Sequence, residues 1–105
     1  MNNQDTLNKI KDTVHSYLPD ARVMLFGSHA KGTANKHSDY DVLVITKTTM
    51  PIREKRNLRG KISWALVENI DAPFDVLCHS EEEVNEYKNW YGHIVHYAMQ
   101  EAVEL

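Results

Sequence analysis

The chain reads as an α/β (α+β) fold, a small mixed sheet flanked by helices in the order α-β-α-β-α-β-α. Two observations predict it. Apolar residues recur at spacings of three and four in several segments, the signature of helices with one buried face. Between those segments lie short, nearly continuous apolar runs of strand length, bounded by Gly, Pro or polar turns. With 42% hydrophobic and 26% charged residues the composition is that of a folded globular chain. At 105 residues it suffices for one core and not for two, so residues 1–105 are expected to form a single domain.

Leu7, Ile10, Val14 and Leu18 predict a first helix over Asp5–Leu18, which Pro19-Asp20 stops. Arg22–Phe26 is short and apolar and ends at Gly27, as a buried strand does. Ser28–Lys31 can start a short helix before Gly32 and the polar loop Thr33–His37. Asp39–Thr46 is a second strand around Val42-Leu43-Val44-Ile45, and Lys47–Pro51 is a loop. Leu58, Ile62, Ala65 and Leu66 place a long helix over Ile52–Asn69, with Ile70 and Pro73 marking its end. Phe74–His79 is a third strand and contains Asp75. Ser80 and Glu83 form a capping-box pattern. The helix it opens is expected to bury Val84, Tyr87, Tyr91, Ile94 and Ala98. Ala102–Leu105 is a last short strand or a frayed end.

Charge and composition exclude several classes. Twelve Lys and Arg against 15 Asp and Glu leave a net charge of −3, with no basic track on the scale that nucleic acid requires. Arg53, Lys55, Arg56, Arg59 and Lys61 read as a solvated helix face. No apolar stretch has membrane-spanning length, and Met1-Asn2-Asn3-Gln4-Asp5 lacks a basic-then-apolar signal pattern. One cysteine, Cys78, cannot form an internal disulfide and suits a small core position. A cytoplasmic location without membrane attachment is expected.

Chemistry concentrates in residues 27–42. Gly27-Ser28 turns the chain after an apolar run, and Ser38-Asp39-Tyr40-Asp41 opens the next one. Side chains alternate along a strand, so Asp39 and Asp41 project the same way, about 6.5–7 Å apart. Two like charges that close need a cation, and Mg²⁺ takes paired carboxylates when substrate phosphates complete its shell. The Gly-Ser turn offers small residues and backbone N–H groups for such phosphates. Asp75 stands among the apolar residues Phe74, Val76 and Leu77. An acid there sits at a wet strand end, pairs with a base or ligates metal. Taken singly, each feature has a plainer account. Ser-Asp favours turns, Ser28 serves as an N-cap, and Asp75 is a solvated strand-end carboxylate.

Together, Gly27-Ser28-x-Ala30-Lys31-Gly32 followed by Ser38-Asp39-x-Asp41-Val42 resembles the signature of the DNA polymerase beta-like nucleotidyltransferase superfamily. Small size and the leading helix are similar to its minimal nucleotidyltransferase (MNT) branch, many members of which are antitoxins paired with helical HEPN proteins. The resemblance implies the nucleotidyltransferase fold and a nucleoside triphosphate substrate, with ATP favoured. Gly27 and Ser28 would then bind the triphosphate. Asp39, Asp41 and Asp75 would ligate Mg²⁺, two ions in the full arrangement, and Asp75 would also assist deprotonation of the acceptor hydroxyl. Lys31 is a candidate phosphate contact, with an exposed helix lysine as the plainer reading. Ser38 would orient the carboxylate loop, or is a turn hydroxyl. Many relatives have Arg where this chain has His29, a change that weakens a phosphate contact or leaves it to Lys31.

The activity so implied is transfer of AMP from ATP to a hydroxyl of a partner protein, a HEPN toxin. Two alternatives stand beside it: an antitoxin that acts by binding alone, and a transferase acting on a small molecule or an RNA end. Base preference and assembly into a homo-oligomer stay open. His93 and His96 have a metal-compatible spacing but no third ligand near in sequence, and His79 reads as a bystander. Trp64, Trp90, Tyr87 and Tyr91 are assigned first to the core, with Trp64 and Trp90 as a partner surface where they leave the main stripe.

Overall fold

The computed structural model describes residues 3–105. Of the N-terminal stretch read for a signal, Met1 and Asn2 lie outside the described residues. The elements run α1 (Asn3–Tyr17), β1 (Arg22–Phe26), α2 (Gly27–Lys31), β2 (Tyr40–Thr46), α3 (Ile52–Ile70), β3 (Phe74–Ser80), α4 (Glu81–Tyr87), α5 (Ile94–Glu101) and β4 (Val103–Glu104). The sheet has the order β3-β2-β1-β4. β1 is antiparallel to both β2 and β4, while β2 and β3 are parallel. It is thus the mixed sheet expected, with α3 serving as the crossover that parallel neighbours need.

Strand alternation sorts the apolar residues into two cores. Val23, Leu25, Val42, Val44, Val76 and Cys78 face Ile10 and Val14 of α1 and Ile62 and Leu66 of α3. On the opposite face Met24, Phe26, Leu43 and Ile45 meet Val84, Val95 and Ala98 of α4 and α5. Covered on both sides, β2 has no polar position between Val42 and Ile45, which is why its sequence reads as an unbroken apolar run.

The long last helix expected from the sequence is two. α4 stops at Tyr87, and Lys88–His93 form turns in which the Trp90 N–H donates to the Tyr87 carbonyl and the His93 N–H to the Trp90 carbonyl. Gly92 adopts φ +89°, a left-handed conformation that a helix interior does not accommodate. His93 then starts α5 afresh, its Nδ1 accepting the Val95 N–H at 3.1 Å. The reset shifts the buried face. Val95 is enclosed, while Tyr91 is 89% and Ile94 50% exposed. Trp64 and Trp90 are also exposed and lie outside both cores. The terminal segment takes its strand option, β4 pairing with Met24 and Leu25.

Smaller differences are at boundaries. β2 begins at Tyr40, leaving Asp39 in the preceding loop, and α3 ends with Asp71 in a left-handed cap at φ +56°. The capping box forms as expected. The Ser80 hydroxyl accepts the Glu83 N–H at 3.1 Å, and the Glu83 carboxylate accepts the Ser80 N–H at 2.9 Å. Lys55 of α3 reaches the same carboxylate at 2.9 Å and His79 Nδ1 at 3.3 Å.

Burial pushes the Glu83 carboxyl up, but the Ser80 N–H and the Lys55 ammonium outweigh it and hold its pKa below the ordinary value. Burial, with Lys55 beside it, pushes the His79 imidazole down. Both shifts make the unfolded chain the better proton acceptor, so both stabilise at neutral pH and fade in acid. The midpoint of urea unfolding should fall once pH drops below the ordinary His value of 6.5, and further below the ordinary Glu value of 4.5. His79→Gln should remove the first stage and leave the second. Ser80→Ala should cost about 1 kcal/mol in the same measurement at pH 7, the usual loss for an N-cap.

Candidate active site

The candidate residues gather at one end of the sheet, where β1 finishes and β2 and β3 start. Phe26 is the register partner of Asp41, so the chain turning out of β1 passes directly over that carboxylate. Gly27 makes the passage possible. Its φ is +73°, and a Cβ built on it would overlap Asp41 Oδ2 and lie 3.0 Å from Asp41 Cγ. The space a side chain would need is occupied by the acid, which explains glycine here twice over. Ser28 follows in the first turn of α2. Its hydroxyl has no hydrogen-bond partner among the described residues, while its carbonyl accepts the Gly32 and Thr33 N–H groups that end the helix.

Across the sheet, Asp41 and Asp75 are register partners in the parallel β2–β3 pair. Parallel partners share a face and sit roughly 4.8 Å apart. Asp39 lies two residues upstream. Asp41 is partly buried, whereas Asp39 and Asp75 are exposed. Among the described residues none of the three carboxylates enters an ion pair or a hydrogen bond with another side chain. Burial first, then the charges of Asp75 and Asp39, push the Asp41 carboxyl above its ordinary pKa; His29 opposes the shift and Glu101 adds to it.

Unmatched negative charge converging on a half-buried carboxylate fits a divalent cation, which would relieve the repulsion. The fit is an open one. Among the described residues no three His, Cys, Asp or Glu side chains are grouped tightly enough to enclose an ion by themselves. Mg²⁺ suits such a place, since it binds through one or two carboxylates and fills its remaining positions with water and phosphate oxygens. A surface cavity of about 370 Å³ opens beside Asp75, with Arg59 of α3 on its wall.

The other candidates have local partners. The Lys31 ammonium is paired with Glu101 at 2.9 Å. The Ser38 hydroxyl accepts the Asn35 N–H at 3.0 Å, so it belongs to the loop before β2. His29 stacks on Tyr40 with centroids 3.7 Å apart, and Tyr40 on Phe74 at 5.2 Å. The imidazole also reaches the Ser38 carbonyl at 3.2 Å, tying α2 to the carboxylate loop. His79 and His93 lie at the other end of β3, their rings 6.1 Å apart, in a group with Tyr87 and away from the three acids.

Sequence reasoning missed Glu101. Its carboxylate accepts the Gly27 N–H at 3.0 Å from 74 residues away, a separation that no local spacing reveals. It also missed the His29–Tyr40–Phe74 stack, whose only trace in the sequence is an aromatic residue at the start of two neighbouring strands.

A four-stranded mixed sheet with helices on both faces, and a Gly-Ser turn set against paired acids, define a nucleotidyltransferase fold. The family model of the nucleotidyltransferase domain matches residues 7–103, and the chain belongs to that family. A Methanocaldococcus jannaschii relative that bears a provisional protein adenylyltransferase name is 34% identical over 56 residues, covering 51% of this chain. The match spans 57% of that relative's length. Among solved structures, a toxin–antitoxin with AMP-PNP superposes with a TM-score of 0.66 at 18% identity, over 98% of this chain and 72% of that one. A tri-AMPylated Shewanella oneidensis HEPN toxin in complex with MNT antitoxin gives 0.63 at 16% identity, over 96% and 69%. A Sulfolobus solfataricus protein named for nucleotidyltransferase activity gives 0.57 at 24% identity, over 78% and 70%. No helix among the described residues is long and apolar enough to cross a membrane.

Two substitutions separate the parts of this geometry. A carboxyl whose pKa is raised by folding costs stability while ionised, and that cost fades as pH falls through the raised value. Asp41→Asn should therefore raise the urea midpoint at pH 7 and make its fall in acid steeper, since the opposing gain from Asp41 is lost. Gly27→Ala should lower the unfolding free energy in the same measurement by about 1 kcal/mol or more, because the backbone is left-handed and the acid fills the space.

Proposed function

We propose that the chain is a Mg²⁺-dependent nucleotidyltransferase that moves AMP from ATP onto a hydroxyl side chain of a partner protein. The partner is of the helical HEPN type, and the chain acts as its antitoxin in the cytoplasm. One observation carries the reading: Asp41 and Asp75 are side by side in register, with the Gly27-Ser28 turn lying against Asp41. Family membership and the names of the neighbouring structures support it.

Asp39, Asp41 and Asp75 would hold the metal, which supplies charge neutralisation on the phosphoryl oxygens when bound. The Gly27-Ser28 turn receives the triphosphate. The free Ser28 hydroxyl and backbone N–H groups donate to its oxygens, and Gly27 lets the backbone come close. Asp75, exposed at the sheet edge beside an open cavity, meets the acceptor. It orients the hydroxyl and takes its proton as that oxygen bonds to the α-phosphorus. The bond from the α-phosphorus to the bridging oxygen breaks, and pyrophosphate leaves. Asp41, tucked beneath the turn, fixes the spacing between phosphate site and acids.

Occlusion without catalysis is favoured by a different observation. Trp90, Tyr91, Ile94 and Tyr97 are all at least half exposed around the α4–α5 turn, side chains suited to a protein interface. Incubating the protein with its authentic partner, labelled ATP and Mg²⁺ decides between the two. Label should pass to the partner, and Asp41→Asn should cut transfer by roughly a thousandfold, the scale set by removing a group that stabilises transition-state charge. Transfer undiminished by Asp41→Asn rejects the catalytic assignment. Neutralisation that survives Asp39→Asn/Asp41→Asn selects occlusion.

A further inference from the structure

Glu101 is the last residue of α5, two positions before β4. Both carboxylate oxygens are spent on α2. Oε1 accepts the Gly27 N–H at 3.0 Å, and Oε2 pairs with the Lys31 ammonium at 2.9 Å. Gly27 and Lys31 are the first and last residues of that helix, so one side chain spans it from end to end.

The other ties of the helix lie at its middle, where His29 stacks on Tyr40 and reaches the Ser38 carbonyl and Ala30 packs against the core. The helix is five residues long, buries none of them, and its N-cap residue Phe26 provides no side-chain hydrogen bond. A single helical turn is unstable by itself, because nucleation fixes several dihedrals for one bond. The far end of the bridge is firmly held. Val95 and Ala98 root α5 in the core, and β4 pairs with Met24 and Leu25 just ahead of Gly27. Leu105 then donates its N–H to the Val23 carbonyl at 2.9 Å. The Glu101 backbone therefore cannot shift away from α2 without uncoupling both elements.

We propose that Glu101 is a positioning residue for nucleotidyl transfer: it clamps both ends of α2 and so holds the Gly27-Ser28 turn in the conformation that receives the triphosphate. The inference rests on the assignment of that turn to triphosphate binding. Lys31 has a matching task. A bare carboxylate this close would repel phosphates, and the paired ammonium cancels its charge. The lysine thus serves the phosphate site through the glutamate.

Two readouts on E101A, E101Q and K31M test the clamp: NMR amide exchange at Gly27, Gly32 and Thr33, and calorimetric binding of ATP with Mg²⁺. Loss of one charge-assisted hydrogen bond predicts exchange about tenfold faster in E101A and ATP binding about tenfold weaker. The β2 amides should be unaffected. E101Q keeps an acceptor for the Gly27 N–H and should restore both readouts to within about threefold of wild type. Should E101A fail to fold, K31M must still speed exchange at Gly32 and Thr33, whose N–H groups close that end of the helix on the Ser28 carbonyl. A purely structural glutamate would lower the melting temperature and leave ATP affinity of the folded protein unchanged. That result, or tighter ATP binding in E101A, overturns the proposal. Wild-type protein that binds no ATP overturns the functional reading instead, and the exchange data still report whether the clamp exists.

Discussion

Parallel pairing of β2 with β3 forces Asp41 and Asp75 into lateral register, and the character of the site follows from that constraint. Left to themselves the two carboxylates would separate. They are kept together by the apolar residues that follow them, Val42–Ile45 on one strand and Val76 and Cys78 on the other, which are locked into the cores. The hydrophobic effect thus outweighs a local repulsion at the strand ends, and the repulsion remains available for a cation to relieve. Holding the carboxylates against that repulsion costs local stability, as the raised Asp41 carboxyl records.

The two cores divide the work. The one beneath α1 and α3 is built from the long helices and the inner faces of all three main strands. The one beneath α4 and α5 is smaller, and it carries the face on which Asp41 and Asp75 lie at the edge of Phe26, Leu43 and Leu77. The acids are consequently wet on one side and supported on the other. That leaves Asp41 half-buried with a perturbed carboxyl, and Asp75 open to an incoming molecule.

Much of this was legible in the chain. β1, β2 and β3 were readable because each is an apolar run closed by a turn residue. The capping box at Ser80 and Glu83 was readable because its chemistry is local. Asp39 and Asp41 announce themselves through period-two spacing. Asp75 needed more, since its place opposite Asp41 depends on strand order and register, which single-strand patterns do not encode. The broken last helix misled for a definite reason: Tyr87, Tyr91 and Ile94 continue a three-four spacing by coincidence through a segment that Gly92 turns aside. Glu101 was invisible because its partner, Gly27, presents only a backbone N–H, which no residue type advertises.

The short strand β4 sets an order of events during synthesis. It joins β1 across about eighty intervening residues, and its neighbour Glu101 reaches Gly27 over a similar span. α1, β1, β2, α3 and β3 can assemble as the chain leaves the ribosome, but the Gly27-Ser28 turn is not braced until the segment 94–104 has emerged. The turn beside Asp41 would therefore settle late, and a nascent polypeptide interrupted before that point would carry its three acids next to an unbraced loop.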